Sequence, residues 1–140
     1  MVTKIQFVEE VKSWIGTPFH HEGRVKGAGI DCVGVAAASG ANLGLKVIDM
    51  EHYPKRPIDG MFEKAVDAQT IPASLDQLQL GDILKFRIRE EPQHLAIVTQ
   101  LVPQIRITHA FAQAKKCVEN DLDNFWLERL VGVRRIEELE

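Results

Sequence analysis

Two kinds of periodicity follow one another along this chain of 140 residues, and their order restricts the fold more than composition does. Helical spacing comes first. Lys4 to Trp14 carries Ile5, Val8 and Val11, continued by Ile15 just past its end, along one predicted face and Glu9, Glu10 and Lys12 along the other. A second helix is predicted from Cys32 to Leu43, its flank kept thin by Ala36, Ala37 and Ala38 so that it packs closely against a sheet. Alternating, β-branched runs come later: Ile83 to Arg89 after the turn at Gly81-Asp82, then Leu95 to Leu101, Ile105 to Ala110 and Gly132 to Ile136. Helices followed by antiparallel strands is an α+β pattern, in which N-terminal helices pack on a central antiparallel sheet of four or more strands. Residues 1–140 read as one domain, since 45% hydrophobic content in a chain of this size supplies one core.

The stretch between Val47 and Ile71 is interrupted by Pro54, Pro57 and Gly60, although GMFEKAVDAQ reads as a short helix. Within it, Tyr53 and Arg56 are either groove-lining or ordinary loop residues. Lys115-Lys116 and Arg134-Arg135 read as solvated pairs, and Glu137 to Glu140 as a frayed tail. With a net charge of −3 and no basic cluster beyond such pairs, nucleic acid is not an expected partner. The N-terminus lacks the uninterrupted apolar core of a signal peptide, and no run reaches the roughly twenty apolar residues of a membrane span. The expectation is a protein that is cytoplasmic as synthesised, with no membrane association.

Chemistry concentrates where the glycine-rich segment Gly16 to Ile30 gives way to the second helix, at Asp31-Cys32-Val33-Gly34. The first amides of a helix have no intrahelical partners and present roughly half a positive charge, which favours a thiolate over a thiol. Asp31 is placed to cap that helix and to hold the Cys32 side chain in a set direction. A nucleophilic cysteine needs a base, and two of the five histidines sit in telling places. His94 opens the run HLAIVTQLV and His109 closes IRITHAF, so antiparallel pairing makes them neighbours. If both face the helix bearing Cys32, the chain holds a nucleophile, a base and a group that orients the base. Cys117 reads as structural, because it follows two lysines with no histidine near it in sequence. A disulfide between Cys117 and Cys32 would silence the proposed nucleophile. Zinc is the other use for Cys32 with His20, His21, His94 and His109, but their spacings match no short zinc pattern, so neither metal nor cofactor is expected.

WIGTPFHHEGRVKGAGIDCVGV, GDILKF, HLAIVT and ITHAF together resemble the NlpC-type family of cell-wall peptidases, which are papain-like cysteine enzymes. The resemblance spans nearly the whole chain. It implies a papain-like fold, with Cys32 as nucleophile, His94 as general base and His109 as the third polar residue. It also implies that the backbone amide of Cys32 points at the oxyanion of the tetrahedral intermediate. The implied reaction is hydrolysis of a peptidoglycan stem peptide between the D-glutamate γ-carboxyl and the diamino acid, through an acyl-enzyme. One departure stands out: the family commonly has tyrosine after Thr-Pro, and this chain has Phe19, leaving His20 or His21 as substitute donors near the oxyanion. Arg24 either binds a carboxylate or is solvated. The stretch His21-Glu22-Gly23-Arg24 is similar to that of small phage and prophage peptidases, which implies phage tail components as partners and a tail as the route to the wall. Two alternatives stay open: a tail component whose chemistry is idle, and an amidase that cuts the sugar-to-alanine bond.

Overall fold

The computed structural model describes residues 1–46, 61–88 and 94–140. The first helix, α1 (Lys4–Lys12), starts at a reciprocal cap: Gln6 N donates to Thr3 Oγ1 at 3.0 Å and Thr3 N donates to Gln6 Oε1 at 2.9 Å. It buries Phe7, Val8 and Val11, with Trp14 just beyond its end, and it leaves Ile5 and Ile15 exposed. The buried stripe is therefore rotated from the predicted one, because the larger Phe7 and Trp14 flank Val11 at helical spacing and displace the isoleucines. The loop that follows contains a two-stranded antiparallel hairpin of β1 (Arg24–Val25) and β2 (Gly29–Ile30). Helix α2 (Cys32–Asn42) is lined by buried Val33, Val35, Ala36 and Ala37. Helix α3 (Met61–Ala68) falls where a short helix was expected, while Tyr53 and Arg56 lie outside the described residues.

Six strands then form one sheet in the order β3-β8-β4-β5-β6-β7: β3 (Ile71–Ala73), β4 (Ile83–Phe86), β5 (His94–Gln100), β6 (Arg106–Phe111), β7 (Lys116–Asp121) and β8 (Leu130–Arg135). Every pairing is antiparallel. A short helix, α4 (Asn124–Leu127), connects β7 to β8. The period-2 alternation sorts side chains onto two cores. Ile83, Leu95, Ile97, Ala110 and Cys117 meet α1 and α2 on one face, and Leu84, Phe86, Ala96, Val98, Ile107 and Trp126 pack on the other.

Two surface assignments are corrected by what the C-terminal residues bind. The tail is pinned: Lys4 N donates to the Glu140 carbonyl and Glu140 N to the Val2 carbonyl, both at 3.0 Å, with Leu139 in the helical-face core. Its acidic residues hid an Ile136…Leu139 apolar pair that needs burial. Arg135 is likewise no solvated charge. It clamps the fully buried Asp82 with two bonds of 2.8 Å, which raise the guanidinium pKa further. Arg134 bonds Thr70 and lies 3.3 Å from Asp67, tying α3 to β8. Among the described residues no helix is long and apolar enough to cross a membrane.

Candidate active site

Asp31 organises the start of α2. Its Oδ1 accepts from Gly34 N at 2.9 Å and from Arg24 Nη1 at 2.9 Å, and its Oδ2 accepts from Glu22 N at 2.8 Å. Arg24 is thus the partner of an internal carboxylate. Gly34 explains the fourth position of the Asp-Cys-Val-Gly motif. A Cβ there would stand 2.5 Å from Ile30 Cδ1 and 2.7 Å from Arg24 Nη1, pushing the guanidinium off Asp31. Gly23 is required by the hairpin, since its Cβ would fall 2.5 Å from the Gly29 carbonyl carbon. Cys32 therefore leaves a start of helix held from three directions.

Backbone hydrogen bonds carry that helix start to one end of the sheet. Gly16 N donates to the Cys117 carbonyl, Cys117 N to the Thr17 carbonyl and Phe19 N to the Lys115 carbonyl, while Ile30 N donates to the Pro18 carbonyl, at 2.8 to 3.0 Å. Lys116 and Cys117 pair with Phe111 and Ala110 of β6, and continuing the β5–β6 register from Ile97↔Thr108 brings Phe111 opposite His94. Cys32 packs on the core that contains Leu95, Ala110 and Cys117. The first residue of α2 and the first residue of β5 thus occupy the same end of the sheet.

His94 and His109 are both fully buried and bonded to each other, Nε2 to Nδ1, at 2.7 Å. Alternation aligns them with Ala96, Val98 and Ile107 on the face opposite the α1–α2 core, where Trp126 of α4, Phe111 and, for His94, Phe86 surround them at ring separations of 4.7 to 6.2 Å. His109 continues to Asn120, its Nε2 lying 2.7 Å from Oδ1. Burial, and second the neighbouring His94, push the His109 pKa down to about 3, against the opposing effect of the Asn120 bond. His109 is therefore neutral at ordinary pH.

That depression has a consequence for stability. The unfolded chain binds the His109 proton near pH 6.5 and the folded chain only near about 3, so the unfolded state is favoured as pH falls between those values. Stability is expected to fall by up to about 1.4 kcal/mol per pH unit across that window and to show no such slope above it. Urea midpoints at pH 7, 5 and 4 measure the slope, and His109→Gln should flatten it. An equal slope in both proteins would assign the acid sensitivity elsewhere.

The remaining residues singled out by the sequence separate. Phe19 packs half-buried on the helical-face core. His21 turns to carboxylates, its Nε2 at 3.5 Å from Glu22 Oε1 and its Nδ1 at 4.0 Å from Asp31 Oδ2. His20 donates from Nδ1 to the His21 carbonyl at 2.9 Å and lines a cavity with Gly23, Arg24, Val25, Ala28 and Gly29. Cys117 is fully buried, and burial lifts its thiol pKa to about 12, so it stays protonated. Neither cysteine is in a disulfide, and among the described residues no group of three His, Cys, Asp or Glu side chains is placed to hold a metal ion. Asn120 and Trp126 were not anticipated. The aromatic after the capping Asp123 in DNFWL was the one available signal for Trp126.

The architecture is α+β of the papain-like kind. Within that class it is the NlpC/P60 fold. The chain superposes on a Staphylococcus aureus protein described as similar to a lipoprotein of the NLP/P60 family, with TM-score 0.67 and 22% identity, covering 95% of this chain and 41% of that one. It also superposes on the NlpC/p60 domain of the peptidoglycan hydrolase SagA, with TM-score 0.67 and 19% identity, covering 95% and 98%. An NlpC/P60 family protein from Bacillus cereus gives TM-score 0.71 and 18% identity over 96% and 40%. The chain therefore spans about two fifths of the S. aureus and B. cereus proteins and nearly all of the SagA domain. No protein-family model matches the sequence, and no curated protein matches it.

Proposed function

We propose that this chain forms a cysteine peptidase domain of the NlpC/P60 family that hydrolyses peptidoglycan stem peptides between the D-glutamate γ-carboxyl and the diamino acid. The observation that carries the reading is the buried His94–His109 pair, joined at 2.7 Å at the end of the sheet where Cys32 begins its helix. A pair of imidazoles kept in an aromatic pocket and bonded in series is an arrangement suited to orienting a base. Cys32 attacks the amide carbonyl as His94, reached around the start of β5, takes the thiol proton. The Cys32 amide, in the first turn of α2, stabilises the oxyanion. His94 then protonates the leaving amine, and a water activated by His94 opens the acyl-enzyme. The His21-to-Arg24 stretch supports a phage or prophage tail setting, with the tail as the route from the cytoplasm to the wall.

Digestion of purified muropeptides followed by mass spectrometry tests this, because each cut leaves a different terminus. The expected products are a fragment ending in D-glutamate and one beginning at the diamino acid. A new alanine N-terminus instead would make the protein an amidase. Phe19, which has no hydroxyl to offer the oxyanion, favours the reading of an idle tail component, and intact muropeptides together with ordinary iodoacetamide reactivity at Cys32 would establish it. His109→Ala is expected to lower kcat by tenfold to a hundredfold while leaving measurable turnover, since orientation is only part of what a base requires. Complete loss in a folded variant would give His109 a direct chemical role.

A further inference from the structure

The polar chain that starts at His94 ends at Asn120, and the chemistry of that last group determines where hydrogens sit on the other two. Asn120 Nδ2 donates to the Asp121 carbonyl at 3.0 Å, so the amide oxygen is what faces His109, 2.7 Å from Nε2. An amide oxygen only accepts. His109 Nε2 must carry a hydrogen, and because the ring is neutral its Nδ1 is then a lone pair. That lone pair accepts at 2.7 Å from His94 Nε2, which must carry a hydrogen in turn. A neutral His94 with its hydrogen on Nε2 keeps its lone pair on Nδ1.

We propose that Asn120 is a positioning residue whose side-chain oxygen sets the tautomers of His109 and His94 in series, so that Nδ1 of His94 is the nitrogen presented to the thiol. The role rests on the reading of Cys32 and His94 as nucleophile and base, but the tautomers themselves do not. Asparagine suits the position better than aspartate would. A carboxylate favours the imidazolium of His109, which donates from both nitrogens. Nδ1–H of His109 then points at His94 Nε2, turning that atom into an acceptor and moving the His94 hydrogen to Nδ1, where it blocks the base. Among the described residues, the groups facing the His109 ring are His94 from β5, Phe111 from its own strand, Trp126 from α4 and Asn120 from β7, and His94 is the ionisable one of these.

Ring-nitrogen NMR of the 15N-histidine-labelled full chain reads the tautomers directly. In the wild type at neutral pH, His109 is expected with its hydrogen on Nε2 and His94 with a hydrogen on the Nε2 that faces it. Asn120→Asp is expected to convert His109 to the imidazolium and His94 to the Nδ1–H form. In parallel, kcat for muropeptides should drop tenfold to a hundredfold at neutral pH with KM little changed, recovering as alkaline pH removes the His109 proton. Should the aspartate variant not fold, Asn120→Ala carries the same readout: His109 loses its fixed tautomer and the two ring spectra become mixtures. A wild-type His109 with its hydrogen on Nδ1, or ring spectra unchanged by either substitution, overturns the assignment. Unaltered kcat beside altered spectra overturns the catalytic role alone, and wild-type protein without turnover overturns the peptidase reading while leaving the tautomer result standing.

Discussion

Cys32→Ala is expected to abolish muropeptide hydrolysis, with a loss on the order of a million-fold, as when the nucleophile is removed from a catalytic triad. The fold should be indifferent to the change. Cys32 is the first residue of α2 and only half-buried, and the hydrogen bonds that hold the helix start belong to Asp31, Gly34, Arg24 and Glu22. Alanine is a good helix former in that place, so the unfolding free energy should change by less than about 1 kcal/mol. The second cysteine supplies an internal control. Cys117 is buried, with its pKa lifted to about 12, and its side chain packs between β7 and the helical layer. Iodoacetamide at neutral pH should therefore modify one thiol per folded chain, and none in Cys32→Ala. Fragment release by a folded Cys32→Ala protein at the wild-type rate would remove the thiol from the mechanism.

Which parts of this arrangement could be read from the chain depended on how local their causes are. The start of α2 was legible because the cap, the thiol and Gly34 lie within four consecutive residues, and an Asp at the N-cap acts on amides two or three residues away. Strands β5 and β6 were legible because alternating apolar residues state both their existence and their sides, and so were the histidines they carry. Strand β7 was not. KCVEND has no apolar alternation beyond Cys117 and Val118, and it is a strand because the edge of β6 offers it hydrogen-bond partners from Arg106 to Phe111. Asn120 was invisible for the same reason: its meeting with His109 depends on a register that only the assembled sheet defines.

The side of the sheet occupied by the histidines illustrates a different limit. Sequence parity puts His94 with Ala96 and Val98, but parity alone does not say which set meets α1 and α2. The answer comes from bulk. Leu95 and Ile97 fill the space against the helices, leaving the smaller Ala96 beside the imidazoles on the face that α4 covers with Trp126. The electrostatic consequence, a histidine held neutral by burial, follows from that aromatic cover rather than from any residue next to it in sequence.

Trp126 is accordingly the residue whose loss should couple stability to chemistry most strongly. It is nearly fully buried and meets Phe86, His94, His109 and Phe111 with ring separations of 4.7 to 5.8 Å. Trp126→Ala removes the largest side chain of the second core, at a cost of about 3 to 5 kcal/mol and a fall in Tm of roughly 6 to 20 °C. A domain stable by roughly 5 to 15 kcal/mol survives that in the cold, and Trp126→Phe provides a milder version if it does not. Water admitted beside His109 weakens the desolvation that now holds its pKa near about 3, so the value should climb toward 6.5. Once His109 is protonated in the working range, it donates to His94 from Nδ1 and the base loses its lone pair. The acid limb of kcat/KM should therefore move to higher pH in Trp126→Ala and less in Trp126→Phe. Histidine ring-proton titrations should show the His109 pKa rising in the same order. If the Tm falls while the His109 titration and the acid limb stay in place, then Trp126 supports the core without controlling the charge on the imidazole pair.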